Sequence, residues 1–78
     1  MGSSRGRRIY LVSAMDDGRW SVKAGKLAPR FFSTQLEAED YAIGLALRAI
    51  PSVVRVQFRD GTVQREIRYE QSAAEQSH

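Results

Sequence analysis

The sequence predicts an α+β domain in which a β-hairpin, one helix and a second β-hairpin follow one another (ββαββ). We expect antiparallel strands with the helix packed on one face of the sheet. Two Asp-Gly pairs flanked by β-favouring residues, Asp17-Gly18 and Asp60-Gly61, predict the hairpins. A capping signature ahead of a helical apolar pattern predicts the helix between them.

The 78 residues suffice for a single domain. We expect it to span residues 8–70, between a disordered basic arm at 1–7 and a flexible polar tail at 71–78. Neither end carries the apolar residues that would anchor it in a core.

The first hairpin follows from residue type and alternation. Residues 8–13 are predicted as a strand that is apolar on both faces, as expected of a central strand or of one that pairs across a dimer. Residues 15–18 form the predicted turn. Residues 19–24 alternate, with Trp20, Val22 and Ala24 predicted to face the core. Residues 25–30, which include Pro29, are predicted as a loop.

The helix is predicted over residues 35–49. Thr34 and Glu37 have the spacing of a capping box, in which Thr34 accepts from the N–H of Glu37 and the Glu37 carboxylate accepts from the N–H of Thr34. Pro51 ends the helix because its ring disfavours helical angles at Ile50.

The second hairpin is predicted from strands 52–59 and 62–69, joined by a two-residue type I′ turn at Asp60-Gly61. That turn fixes the register. It places these residues opposite one another: Arg59 and Thr62, Phe58 and Val63, Gln57 and Gln64, Arg55 and Glu66, Val54 and Ile67. Phe58, Val63, Val54 and Ile67 then share one face, and Arg55 pairs with Glu66 on the other.

The helix carries two apolar stripes. At 100° per residue, the stripe predicted to face the sheet contains Ala38, Tyr41, Ala42, Leu45, Ala46 and Ala49. The second stripe contains Leu36, Ile43, Leu47 and Ile50. A helix that is apolar on two sides requires two covers. The second cover is either the 25–32 loop, through Leu27, Phe31 and Phe32, or a second copy of the chain. We favour the homodimer because so small a core benefits from a partner.

The order and spacing of short motifs resemble the bacterial family known as domain of unknown function 2188. The matching residues are Tyr10-Leu11-Val12, Gly18-Arg19-Trp20-Ser21-Val22-Lys23, Phe32-x-Thr34-Gln35-x-Glu37-Ala38, Ala42 with Leu45-Ala46, and Asp60-Gly61 with Tyr69. The resemblance implies the fold and a bacterial protein, and it supplies no catalytic residues because the family has no established activity. The helix departs from the family pattern, with Ile43, Leu47 and Ile50 where charged residues are typical.

The composition argues against an enzyme. The chain has no cysteine, and its one histidine, His78, lies in the predicted tail, so we expect no catalytic, metal-binding or cofactor-binding residue. Asp16, Asp17 and Asp60 are assigned to turns. No run approaches the roughly 20 apolar residues that a membrane span requires. The lack of cysteine fits a reducing cytoplasm.

The alternative function is weak nucleic-acid binding. The net charge is +3, with a sequence pI near 9.8. We expect the sheet face opposite the core to collect Arg19, Lys23, Arg55, Arg59 and Arg68, and the N-terminal arm adds Arg5, Arg7 and Arg8. Tyr10 is the one aromatic residue that this interpretation offers for base stacking, if it points outward.

Overall fold

Five strands form one mixed sheet, and a single helix packs on one of its faces. The computed structural model describes residues 8–70, so the predictions for 1–7 and 71–78 lie outside the described residues. In chain order the elements are β1 (Arg8–Ala14), β2 (Trp20–Ala24), β3 (Arg30–Phe32), α1 (Gln35–Leu47), β4 (Ser52–Gln57) and β5 (Val63–Tyr69).

The strand order is β3-β2-β1-β4-β5. The α+β class and the single covering helix are confirmed, but the prediction of an antiparallel sheet was wrong because β1 and β4 are parallel. The reason is the path of the chain. β3 runs in the same direction as β1. The helix α1 then returns the chain to the end of the sheet where β1 begins, so β4 pairs with β1 and runs parallel to it.

The 25–30 loop prediction missed β3. This three-residue strand pairs antiparallel with β2, with Trp20 opposite Phe32 and Ser21 opposite Phe31. A strand this short shows no usable alternation in the sequence. The order is therefore βββαββ.

The core lies between α1 and the centre of the sheet. It consists mainly of Tyr10, Val12, Val22, Val54 and Val56 from the strands and Ala38, Ala42 and Ala46 from the helix. The alanines confirm the predicted core stripe and bring the helix close to the sheet. The largest side chains that are fully buried are only valines, so this core is thin.

The helix begins as predicted but ends two residues earlier. Thr34 Oγ1 accepts from the N–H of Glu37 at 3.2 Å. The second half of the capping box differs, because the Glu37 carboxylate accepts from the N–H of Ser33 at 3.3 Å rather than from that of Thr34. Beyond Leu47, the N–H groups of Arg48 and Ala49 reach back only three residues, to Leu45 and Ala46, which tightens the last turn.

The two hairpin turns have the same backbone geometry. Asp60-Gly61 does not form the predicted type I′ turn. Gly18 and Gly61 have φ of 92° and 91°, whereas no non-glycine residue of the described range has a positive φ. The N–H of Gly61 donates to the carbonyl of Phe58 at 3.0 Å, and that of Gly18 to Met15 at 3.1 Å. Asp60 therefore keeps a negative φ, and only the glycine occupies the left-handed region.

A β-bulge shifts the pairing register of the second hairpin in the part next to its turn. The Arg55–Glu66 and Val54–Ile67 pairs are confirmed, but Gln57 lies opposite Val63 because Gln64 is an extra residue. The predicted Phe58–Val63 and Gln57–Gln64 pairs were therefore wrong. Phe58 and Val63 are 49% and 51% exposed instead of joining the core.

Candidate interaction surfaces

The second apolar stripe of α1 lies largely in solvent. Leu36 is 68% exposed, Leu47 53% and Ile50 38%, whereas Ile43 is half-buried against the core. The intervening polar wedge of Glu37, Asp40, Gly44 and Arg48 is exposed, as the periodicity predicts.

The 25–32 segment does not cover this stripe. Phe32 lies against Tyr41, with 5.2 Å between ring centroids, and the Arg30 guanidinium lies over the Tyr41 ring, 5.1 Å from its centroid. Leu27 is 68% exposed, and Phe31 belongs to the sheet face away from the helix. The sequence analysis offered two alternatives to cover the second stripe, the 25–32 loop and a second copy of the chain. Within residues 8–70, the loop does not cover it.

The stripe faces the β5 side of the helix. Glu39, which is 7% exposed, accepts from Arg65 of β5 at 2.6 Å and from Gln35 at 2.6 Å. Gln35 also donates to Gln64 at 2.9 Å. The three stripe residues within α1, Leu36, Ile43 and Leu47, lie within about 80° of Glu39 around the helix, whereas Tyr41 lies about 160° away. The stripe therefore overhangs β5, and Tyr41 faces β3.

The Glu39–Arg65 pair was not predicted. The sequence places Glu39 between the two stripes, but the register of a hairpin pairs strand residues only and gives Arg65 no partner on the helix. Beyond the bulge at Gln64, Arg65 lies opposite Val56, and its side chain is on the helix side of the sheet. A charged residue between two apolar stripes is the signal that a partner is required.

The predicted basic residues do not all share one surface. Because β-strand side chains alternate, Lys23, Arg55 and Arg68 lie on the face opposite the core, and Arg19 joins them just ahead of β2. Arg59 is instead an exposed residue of the β4–β5 turn.

Most of these cationic side chains pair with a carboxylate or donate to a backbone carbonyl. Arg55 Nε lies 2.7 Å from Glu66 Oε2, and Arg68 lies 3.6 Å from the other oxygen of the same carboxylate. Hydrogen bonding to Arg55 lowers the pKa of Glu66 below its ordinary value. Arg19 pairs with Asp17 at 2.9 Å, and Lys23 Nζ donates to the carbonyls of Gly25 and Leu27, both at 3.0 Å.

The aromatic residue on this face is not the one predicted. Tyr10 is 6% exposed and lies on the helix side, so it does not point outward as base stacking would require. Phe31 is 47% exposed on the outer face, with the Arg19 guanidinium 4.9 Å from its ring centroid. The sequence analysis assigned Phe31 to the 25–32 loop rather than to this face, because β3 was not predicted.

An open cleft of about 580 Å³ lies between the two hairpin turns. Trp20, Phe58, Gln35, Gln64 and Arg59 are among its lining residues. The sequence gives no signal for this cleft, because it exists only where the parallel β1 and β4 bring the two turns to one end of the sheet.

Asp17 and Asp60, at this end of the sheet, accept hydrogen bonds within the two hairpin turns. The N–H and guanidinium of Arg19 lower the pKa of Asp17, and the N–H and hydroxyl of Thr62 lower that of Asp60. Residues 8–70 contain no group of three His, Cys, Asp or Glu side chains placed to hold a metal ion. Across the same range, no helix is both long and apolar enough to cross a membrane.

Comparison with known proteins identifies the family. No curated protein and no solved structure matches the chain. The model of a family described as uncharacterized protein conserved in bacteria (DUF2188) matches residues 9–69, which include the described helix and all five strands except Arg8, the first residue of β1. The chain therefore belongs to this family of uncharacterized bacterial proteins.

Proposed function

We propose that the protein is a non-enzymatic interaction module of the bacterial cytoplasm that acts as a homodimer, with the second stripe of α1 at the contact. The observation that supports it is the exposure of Leu36, Leu47 and Ile50 on a helix whose other apolar stripe is already buried. Such a helix is expected in an interface rather than on a free surface.

The energetic argument concerns the size of the core. Burying a leucine or isoleucine side chain completely contributes about 1.5–3 kcal/mol. The fully buried side chains of one copy are no larger than valine. Covering the stripe of each copy buries leucine and isoleucine side chains, which are larger than the valines that are fully buried in one copy, and this offsets the entropy cost of association.

Leu47→Glu tests this proposal. The charge in the centre of the contact is expected to shift the protein from dimer to monomer in sedimentation velocity at micromolar concentration. Because Leu47 is 53% exposed within one copy, the variant keeps its fold and its circular dichroism spectrum.

The matched control is Leu27→Glu. Leu27 is also an exposed leucine, at 68%, but lies beside Ala24 and Gly25 at the far end of β2. This variant is expected to sediment as the unmodified protein does. A wild-type chain that sediments as a monomer overturns the proposal.

The second candidate function is weak single-stranded nucleic-acid binding on the outer sheet face. The exposed Phe31 ring beside Arg19 is the observation that favours it, since stacking on an aromatic ring supports such binding. It ranks second because Glu66 and Asp17 neutralise part of the basic surface.

Fluorescence anisotropy at low salt tests this candidate. Binding of a labelled single-stranded oligonucleotide is expected to weaken as salt is raised and to fall on Phe31→Ala, while Phe58→Ala, which removes an equally exposed ring, leaves it unchanged. Binding that is absent, or insensitive to Phe31, rejects this function.

A further inference from the structure

We infer that the two helices of the dimer run parallel, each seated over β5 of the other subunit. This inference rests on the proposed homodimer and specifies how the second copy is placed.

The space beside α1 above β5 has the dimensions of a helix. α1 packs on β1, β2 and β4, and β5 is two strands from β1. At about 4.8 Å per strand, β5 lies about 10 Å to one side of β1. Packed helices are separated by about 8–10 Å, so a helix placed against α1 on this side lies directly above β5.

Apart from the Glu39–Arg65 ion pair, both surfaces of this space are apolar. Its floor is the helix-facing side of β5, where Ile67 and Tyr69 are only half-buried. Its wall is the exposed stripe of α1, whose direction is fixed by the Glu39–Arg65 ion pair. The α1 helix of a second copy suits this space because it carries an identical uncovered stripe, and a two-fold axis makes the two stripes complementary.

The position of β5 determines the direction of the second helix. If the two-fold axis were perpendicular to the sheet, the helices would be antiparallel and both sheets would lie in one layer. At helix-packing distance, β1 of the second copy would then occupy the position of β5. The second sheet must therefore lie on the opposite side of the helix pair. The two-fold axis then runs along the helices, which makes them parallel.

The charges agree with the parallel arrangement. On the side of α1 that faces away from its own sheet, the first half of the helix carries Glu37 and Asp40, both exposed. In the parallel dimer, Arg65 of the partner subunit lies at the height of Glu39 and therefore close to Asp40. Arg65 has a side chain 52% exposed, so it can contact Asp40 of the other copy while it retains Glu39.

Single cysteines distinguish the two directions, because the natural chain contains none. Leu36→Cys and Leu47→Cys are about 16 Å apart along the helix at 1.5 Å per residue. In a parallel pair, each of these residues meets its own counterpart. In an antiparallel pair, a residue meets itself only at the two-fold axis, so at most one of them does.

The experiment is mild oxidation of each variant at a concentration where sedimentation shows a dimer, followed by a non-reducing gel. Both variants are expected to form disulfide-linked dimers well above the level of the control Leu27→Cys, whose position is at least as exposed as either of them. Cross-linking of only one or neither position in a sedimenting dimer overturns the parallel arrangement and leaves the proposed function intact. A protein that sediments as a monomer overturns both.

Discussion

Asp60 and Asp17 hold the two hairpin turns with their carboxylates. Asp60 Oδ1 accepts from the N–H of Thr62 at 2.9 Å and from its hydroxyl at 2.7 Å, and Asp17 Oδ1 accepts from the N–H of Arg19 at 3.0 Å. An ionised carboxylate accepts these bonds more strongly than a protonated one, which is why the pKa of each aspartate is lowered.

The pH dependence of stability follows from this shift. The pKa of Asp60 is lower in the folded state than its ordinary 3.8, so its contribution is complete above that pH and is lost as the pH falls through the folded-state pKa. We expect the free energy of unfolding of Asp60→Asn to fall less steeply on acidification below pH 3.8 than that of the natural protein.

Urea denaturation at a series of pH values measures this difference. Asp16→Asn is the control, because Asp16 is an exposed aspartate of the other turn for which the structure describes no hydrogen bond. If the Asp60→Asn and natural curves are parallel through the acid range, the Asp60 hydrogen bonds do not contribute to this dependence.

At the residue scale, the sequence predicts contacts within a hairpin better than contacts between elements. Arg55–Glu66 was predicted because both residues belong to adjacent strands of one hairpin. Glu39–Arg65 joins a helix to a strand 26 residues away, and the register of the hairpin carries no information about which helix residue Arg65 contacts. Neither the bulge nor the helix orientation is specified by local alternation.

The start of α1 is the best-determined element boundary. The hydroxyl of Thr34 satisfies the N–H of Glu37, which would otherwise have no partner in the first turn. This boundary was predictable because the capping residues are local in sequence. The short β3 and the early end of the helix carry no comparable local signal.

Thr34→Ala is expected to lower the free energy of unfolding by about 1 kcal/mol, because it removes the N-cap acceptor. Ser33→Ala is the adjacent control, since Glu37 accepts from the backbone N–H of Ser33, which the substitution leaves in place. Equilibrium denaturation compares the two variants. Equal losses would show that Thr34 contributes nothing specific to the helix start.

For the whole molecule, the small core makes each buried valine important. Val12, Val54 and Val56 are fully buried, whereas the larger Phe31 and Phe58 are about half exposed. In a domain of this size the core rarely supplies more than about 3–5 kcal/mol of net stability. The loss of one buried branched side chain is therefore a large fraction of the total.

Val56→Ala is expected to destabilise the fold by about 2 kcal/mol, because it opens a cavity at the centre of the sheet. Val63→Ala makes the same chemical change at a position 51% exposed and is expected to cost less than about 0.5 kcal/mol. Chemical denaturation gives both values. Similar losses at the two sites would contradict the assignment of the core.

The overall architecture was predictable in class but not in topology. Two hairpins and a helix follow from local patterns, and the apolar character of both faces of β1 indicates its central position. The parallel β1–β4 pairing joins residues that no turn connects, so no local signal specifies it. The exposed stripe was predictable because helical periodicity requires only the sequence of α1.

The parallel β1–β4 pairing has a consequence for synthesis. Tyr10 is paired with Val54, so the central strand lacks one of its two neighbours until the chain has been made beyond α1. The N-terminal hairpin emerges from the ribosome first, but an isolated hairpin is marginally stable in water. Because β4 follows α1 in the chain, the centre of the sheet closes only after β4 has been synthesised, and folding is governed by this distant contact.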